Sequence, residues 1–273
     1  MAAEPPEVSA VVLTWNSASH IPRALAALSR QARDIPSEII VIDNGSTDGS
    51  PELVRACAPD AQVIRYARNL GVARARNRGI ALARGRFVLL LDIDTEMHAG
   101  SLSTLVGFLA MHPMVGIAGP RLVSPDGTVQ FSCRRFPTVQ GKLLRQLPAR
   151  VRMRFPLVAD EELHHIDRSV AQPVDYVIGA CQLIRRSTLE AVGLLDERMF
   201  YGPEDVDFCL RVRRAGWDIH YVPSSVVTHA EQRITRRRPG LITLQHGFAL
   251  AYYFWKHQYA FRRPDGSPGR QTG

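Results

Sequence analysis

Phe87 to Met97 reads FVLLLDIDTEM. Five apolar residues run directly into two aspartates spaced one residue apart. The run does not alternate with polar residues, which predicts a strand buried on both faces of a sheet. Working outward, the flanking sequence repeats one pattern. Short β-branched runs at VSAVVLT (8–14), EIIVID (38–43) and AQVIRY (61–66) are followed by helical spacings at 20–30, 50–56 and 71–84. A further helix at 101–111 and a short strand, VGIAGP, follow. Strands alternating with helices predict an α/β fold with a mostly parallel central sheet. The second half is less regular. Asp126-Gly127 signals a hairpin turn, and 134–175 is basic with weak periodicity, predicting an irregular, mobile segment. VDYVIGACQLIRR (174–186), WDIHYVP and SVVTH read as strands. Pro203 to Ala215 reads as a helix closed by Gly216.

Bulk properties narrow the class. The chain has 273 residues with 45% hydrophobic and 22% charged, a globular composition long enough for one large α/β domain or two small ones. No linker divides it, so one unit from 8 to 260 is expected, with halves at 8–120 and 121–260 and disordered tails at 1–7 and 262–273. MAAEPPEVSA is no secretory signal, no apolar run reaches the roughly 18 residues of a membrane span, and Cys57, Cys133, Cys181 and Cys209 form no C-x-x-C pair. A cytoplasmic protein is expected. The net charge of +8 comes almost wholly from arginine, since Lys142 and Lys256 are the only lysines. That charge is either a composition bias towards arginine or an affinity for anions such as nucleotide phosphates or anionic lipid, with nucleic acid the weakest of these because no nucleic-acid motif accompanies it.

In open α/β sheets ligands bind beyond the carboxyl ends of the strands. Three strand ends here are polar: VVLT into Trp15-Asn16-Ser17, IIVID into Asn44-Gly45-Ser46-Thr47-Asp48, and VLLLD into Ile93-Asp94. Asp92 and Asp94 would face the same way if the chain stays extended. They are either a solvated strand end or a pair suited to Mg²⁺ or Mn²⁺. Arg76 and Asn77 lie nearer the buried edge of their helix than Arg74 and Arg78. Glu204 and Asp205 in a first helical turn either complement the helix dipole or aim a general base into the cleft. His229 ends an apolar run, and Arg233, Arg236, Arg237 and Arg238 follow it. HGFALAYYFWKHQYAFRR (246–263) is either a packed helix or a peripheral membrane contact.

Taken in order, VVLTWNS, VIDNGSTDGS, NLGVARARNRGI, LLLDIDT, GPRLVSPDGTVQFSCRRFPT, DYVIGACQLIRR, EDVDFCLRVRRAGW and VVTHAEQRITRR resemble the family-2 glycosyltransferases, in particular their rhamnosyltransferase-like branch. The resemblance spans about Val8 to Arg238. It implies a GT-A fold and inverting transfer of a sugar from a nucleoside diphosphate donor, such as dTDP-rhamnose, to a glycan or lipid-linked acceptor in cell-surface polysaccharide synthesis. It further implies that Thr14 and Asn16 border the nucleoside, Asp43 binds the base, Arg76 helps hold the nucleotide, and Asp92 touches the ribose. Asp94 would bind the divalent metal with His229, Asp205 would be the catalytic base with Glu204 beside it, and Arg233, Arg236 and Arg237 would cover the diphosphate. Relatives in this branch often carry Asn-Pro-Asp at 92–94 and a second histidine at 230, where this chain has Asp92-Ile93-Asp94 and Ala230. A nucleotidyltransferase would want a glycine-rich basic loop after the first strand, and a reductase a G-x-G-x-x-G; VVLTWNSASH supplies neither. A catalytically inactive protein that keeps the fold as a nucleotide-binding or scaffold module is the remaining alternative.

Overall fold

The computed structural model describes residues 5–152, 154–230 and 240–264. Its elements run β1 (Val8–Thr14), α1 (Ile21–Gln31), β2 (Ser37–Asp43), α2 (Ser50–Cys57), β3 (Gln62–Arg65), α3 (Val72–Leu82), β4 (Phe87–Asp92), β5 (Thr95–Met97), α4 (Ser101–Met111) and β6 (Val115–Val123). There follow β7 (Cys133–Arg134), α5 (Val139–Leu144), α6 (Ala149–Arg152), α7 (Pro156–Glu161), β8 (Gln172–Pro173), β9 (Tyr176–Val177), β10 (Cys181–Arg185), α8 (Arg186–Val192), α9 (Glu204–Arg214), β11 (Asp218–His229) and α10 (Leu241–His257).

The main sheet has the order β3-β2-β1-β4-β10-β6-β11-β5, with β8 alongside β11, and β7 and β9 form a separate ribbon. The β1, β2, β3 and β4 pairings are parallel, as the alternating first half predicts. β10 enters antiparallel between β4 and β6, and β6 pairs parallel with β11. β1 and β4 are buried along almost their whole length because helices cover both faces of the sheet. One core layer holds Val11, Val88 and Leu90; the other holds Val12, Leu89 and Leu91 with the apolar stripe of α1 (Ile21, Leu25, Leu28). Each such side chain contributes about 1.5–3 kcal/mol by leaving water. On the opposite face α3 sits hard against β1: a Cβ on Gly79 would fall 2.2 Å from Val11 Cγ1, so only glycine permits this approach.

Several local expectations change. SVVTH and WDIHYVP are one strand, β11, whose pairing with β6 shifts register between Val222 and Val226, where Pro223 interrupts the ladder. The basic stretch 134–175 is not structureless; it holds α5, α6 and α7, each too short to show a helical period in sequence. VDYVIGACQLIRR divides into β9, a turn at Gly179 and β10. The expected tails are tied down at their inner ends: Glu7 N–H donates to Pro36 O, and Arg263 Nε donates to Phe136 O at 3.0 Å. Residues 1–4 and 265–273 lie outside the described residues.

α10 is clamped from its inner face. Lys256 Nζ lies 2.6 Å from Asp207 Oδ1 and 2.8 Å from Asp196 Oδ2, and His257 Nε2 lies 2.8 Å from Asp207 Oδ1. Ala249, Tyr253 and His257 are buried, while Leu244, Phe248 and Trp255 on the opposite face are 62–75% exposed. Among the described residues no helix is long and apolar enough to cross a membrane.

Candidate active site

A cavity of about 640 Å³ opens beyond the carboxyl ends of β1, β2 and β4, within the roughly 300–1,000 Å³ usual for small-molecule sites. The three strands are neighbours in the order β2-β1-β4, so the polar ends read from the sequence do converge. The loops after β1 and β2 are stitched together. Asn16 Oδ1 accepts from Thr47 N–H at 2.9 Å, Ser46 Oγ accepts from Asn16 N–H at 2.9 Å, and Asp48 Oδ2 accepts from Ala18 N–H at 2.9 Å. Gly45 makes the second loop possible: its φ is +82°, and a Cβ there would meet the Arg68 backbone at 2.5 Å. Trp15, Ser17 and Asn44 line the cavity from these loops, and Asn69 from the loop after β3. Thr14, Asn16 and Asp43 stand beneath or beside that wall rather than in it. Asp43 is fully buried, with Oδ1 accepting from Ser46 N–H at 3.2 Å and Oδ2 facing Arg65 Nε at 3.5 Å.

Ile93 and Asp94 carry the chain in a turn from β4 to β5, held by Thr95 Oγ1 donating to Asp92 O at 2.6 Å. The two aspartates are therefore not presented by one extended strand, as expected from their spacing. β5 pairs with the end of β11, Thr95 opposite His229, and Ala230 N–H donates to Asp94 O at 2.9 Å. That register brings Asp94 to His229, with Asp94 Oδ1 3.7 Å from His229 Nε2. Burial, then the nearby Asp92 charge, pushes the Asp94 carboxyl above its ordinary pKa, and His229 and His20 oppose the rise.

Gln130, which sequence reasoning passed over, fixes the His229 ring. Gln130 Nε2 donates to His229 O at 2.8 Å, so its Oε1 faces His229 Nδ1, also at 2.8 Å. A carbonyl oxygen can only accept, so the amide orientation is settled and Nδ1 must carry the proton. In the neutral ring Nε2 then bears the lone pair, aimed at Asp94. An oxygen and a nitrogen donor so disposed fit a divalent cation that keeps open positions. Among the described residues no group of three such donors occurs.

Arg76 is the hub of the other wall. It is 2% exposed. Its Nη2 donates to Asp92 Oδ1 at 2.6 Å and to Gly179 O at 2.7 Å, and its Nη1 lies 3.5 Å from Glu204 Oε1. Burial works against the guanidinium charge, but Asp92 first and Glu204 next outweigh it and raise its pKa. Asn77 is structural: it straps α3 to the Leu195 backbone through both ends of its amide. Asp205 Oδ2 accepts from Gly179 N–H at 2.9 Å and Oδ1 from Val206 N–H at 2.8 Å, so both oxygens are held at the start of α9. Pro203 precedes this helix rather than occupying its first turn. Glu204 is buried beside Asp205; burial and that charge push its carboxyl up to about 7, against the pull of Arg76. The structure thus gathers Arg76, Asp92, Asp94, Glu204, Asp205 and His229 around one cavity. Arg233, Arg236 and Arg237 lie outside the described residues.

Comparison with known proteins gives the family. The model for "Glycosyl transferase family 2" matches residues 9–193. The chain belongs to glycosyl transferase family 2. It is 30% identical over 266 residues, covering 93% of this chain and 86% of the relative, to the N-acetylglucosaminyl-diphospho-decaprenol L-rhamnosyltransferase of Mycobacterium tuberculosis, which places it on the rhamnosyltransferase-like side of the family. The pre-mycofactocin glycosyltransferase of the same species is 33% identical over 82% of this chain and 42% of its own length. Among solved structures, the mannosyltransferase PcManGT of Pyrobaculum calidifontis, in complex with GDP-Man and Mn²⁺, has a TM-score of 0.63 at 22% identity over 97% of this chain and 67% of its own. GalNAc-T7, with UDP, GalNAc and Mn²⁺, has a TM-score of 0.68 at 17% identity over 93% of this chain and 50% of its own. At such identities the likeness shows the GT-A fold, in agreement with the sequence.

Proposed function

We propose that this glycosyltransferase is inverting and metal-dependent, and that it moves a sugar, L-rhamnose from dTDP-rhamnose, to a hydroxyl of a lipid-linked glycan acceptor. Residues 8–260 act as one GT-A domain, 8–120 holding the nucleotide and 121–260 the acceptor. One observation carries the reading: Asp205, held by two backbone N–H groups, lines the same cavity as the Asp94–His229 pair. The rhamnosyltransferase relative supports the choice of donor and acceptor, and its name describes a diphospho-lipid.

Each role follows from placement. The stitched loops carrying Thr14, Asn16 and Asp43 shape the nucleoside end, with Arg76 keeping Asp92 in position for the ribose. Asp94 and His229 would hold Mg²⁺ or Mn²⁺, which would supply positive charge to the departing diphosphate. Arg233, Arg236 and Arg237 would add to that charge. Asp205 takes the proton of the acceptor hydroxyl. The hydroxyl oxygen bonds to the anomeric carbon as the bond to the diphosphate oxygen breaks on the opposite face, so the configuration inverts. Glu204 stands behind Asp205 and anchors Arg76. The exposed stripe of Leu244, Phe248 and Trp255 supports docking at the cytoplasmic face of a membrane, where a lipid-linked acceptor is found.

The test is transfer from dTDP-rhamnose to an N-acetylglucosaminyl-diphospho-lipid. Asp205→Asn is expected to lower turnover by about 10²–10⁴ while nucleotide binding persists. Full turnover in that variant would exclude Asp205 as the base.

A further inference from the structure

The same cavity is also lined by Arg134, Arg145 and Arg152 together with Glu162, contributed by β7 and the turns around α5, α6 and α7. These residues are remote in sequence from the Asp94–His229 pair, and the reading of the reaction leaves them without work. Their ion pairing is incomplete. Arg145 lies 3.3 Å from Glu161 and 3.5 Å from Glu162. Arg134 Nε donates to a backbone oxygen, Phe131 O, at 3.0 Å. Arg152 Nε is buried with no hydrogen-bond partner among the described residues. Glu162 feels all three guanidinium groups: burial pushes its carboxyl up, but His164 and then Arg145, Arg134 and Arg152 pull it below the usual range. Lys142, beside this group, is a fourth cation; Lys142 and the three arginines together, set against Glu161 and Glu162, leave two positive charges over.

We propose that this arginine chamber is a second anion subsite, distinct from the donor's, which holds the diphosphate of a lipid-diphosphate-linked acceptor. The proposal rests on the glycosyltransferase reading above and adds the substrate's anionic group and the residues that recognise it. Guanidinium forks suit phosphate oxygens, and a diphosphate carries the charge that the chamber lacks. The placement is also right for the chemistry. In a lipid-diphospho-monosaccharide a single sugar ring separates the diphosphate from the reacting hydroxyl, so the anion site must lie close to the base. Arg134 pairs with Tyr176 in the β7–β9 ribbon, and Gly179, three residues on from Tyr176, donates its N–H to Asp205 Oδ2 at 2.9 Å. Burial first, and then the Arg145 charge, hold Lys142 down at about 8. The wall between the two anion sites is continuous chain. Gln130 holds His229, Ser132 N–H donates to Gln130 O at 2.9 Å, and Arg134 follows two residues later. Four residues of extended chain span at most about 14 Å, so one substrate pair can bridge both ends.

Two diphosphates could claim the chamber, the donor's and the acceptor's, and calorimetry separates them. The probe is a water-soluble short-chain prenyl diphosphate, with the matching prenol as control. It is titrated into the full chain with Mn²⁺, alone and after saturation with whichever of UDP, dTDP, GDP or CDP binds. The expected result is binding of the prenyl diphosphate but not the prenol, undiminished by the nucleotide. Arg152→Gln and Arg134→Gln should each weaken it about tenfold or more, the scale of one lost charged hydrogen bond, with nucleotide affinity unchanged. Competition between prenyl diphosphate and nucleotide would assign the chamber to the donor. Unchanged affinity in Arg152→Gln, whose Nε has no partner to strand, would overturn the proposal without reference to folding. Prenyl diphosphate binding with no nucleotide binding at all would instead strike at the transferase reading and leave the chamber standing.

Discussion

Replacing Arg76 by methionine removes the cation that holds two carboxylates together, and the cost can be worked out. The guanidinium makes a 2.6 Å bond to Asp92, a 2.7 Å bond to Gly179 O and a 3.5 Å pair with Glu204. Breaking a buried pair costs about 3–5 kcal/mol when the remaining charge is stranded. Asp92, one-third exposed, is partly rescued by water. Glu204 has no such exit, but its carboxyl is already raised to about 7 and can neutralise itself by taking a proton. The penalty must therefore depend on pH. At pH 6 Glu204 is protonated and the loss is chiefly the Gly179 and Asp92 bonds, about 2 kcal/mol. At pH 8.5 the unpaired charge remains, and the loss approaches about 4 kcal/mol. For a chain of this size each kcal/mol shifts Tm by about 2–4 °C, so the melting temperature of Arg76→Met should fall by about 4–8 °C at pH 6 and about 8–16 °C at pH 8.5. Calorimetric melts of wild type, Arg76→Met, Glu204→Gln and the double variant complete the cycle. Glu204→Gln should recover about 1–3 kcal/mol in the Arg76→Met background at pH 8.5. A pH-independent loss, or no recovery, would refute this picture of the hub.

Three further outcomes are expected. A carboxyl whose folded pKa is raised stabilises the fold fully below its unfolded pKa of about 4.5, and that contribution is lost as pH rises through about 7; wild-type stability should thus decline across this window by on the order of 3 kcal/mol, and melts of Glu204→Gln should lack the decline. Gln130→Leu frees the His229 ring to take either tautomer and orientation, and Mn²⁺ affinity measured by electron paramagnetic resonance should fall about 10–100-fold with the melting temperature little changed; unaltered affinity would remove Gln130 from the site. Phe248→Ser with Trp255→Ser should reduce sedimentation with anionic lipid vesicles at least about tenfold, since each side chain would bury apolar area worth about 1.5–3 kcal/mol, whereas undiminished partitioning would free α10 of any membrane role.

What could be read in the sequence was what repeats at short range. FVLLLD announces a central strand because five consecutive apolar residues fit only a site covered on both faces, and the period of α1 and α3 follows from their single apolar stripes. The meeting of Asp94 with His229 could not be read, because it depends on β5 pairing with β11 across 134 intervening residues. Resemblance to a family supplied that pair where spacing could not. Gln130 carried no signal of its own, being a lone amide in a hairpin stretch. Arg134, Arg145 and Arg152 looked like scattered basic residues, since the helices that bring them together span only four to six residues and show no period. Arg76 was legible as lying nearer the buried edge of α3, but not as a hub, because its partners come from β4, the turn before β10 and α9.

The most direct test of the central claim is calorimetric titration of a nucleoside diphosphate panel (UDP, dTDP, GDP and CDP) into wild type and Asp94→Ala, with and without Mn²⁺. The expected result is selective, Mn²⁺-dependent binding of dTDP by wild type, weakened by about 10-fold or more in Asp94→Ala, the scale of one lost ligand to a shared cation. Absence of binding by any diphosphate in folded wild type, or binding equally strong in Asp94→Ala with Mn²⁺ present, would contradict it.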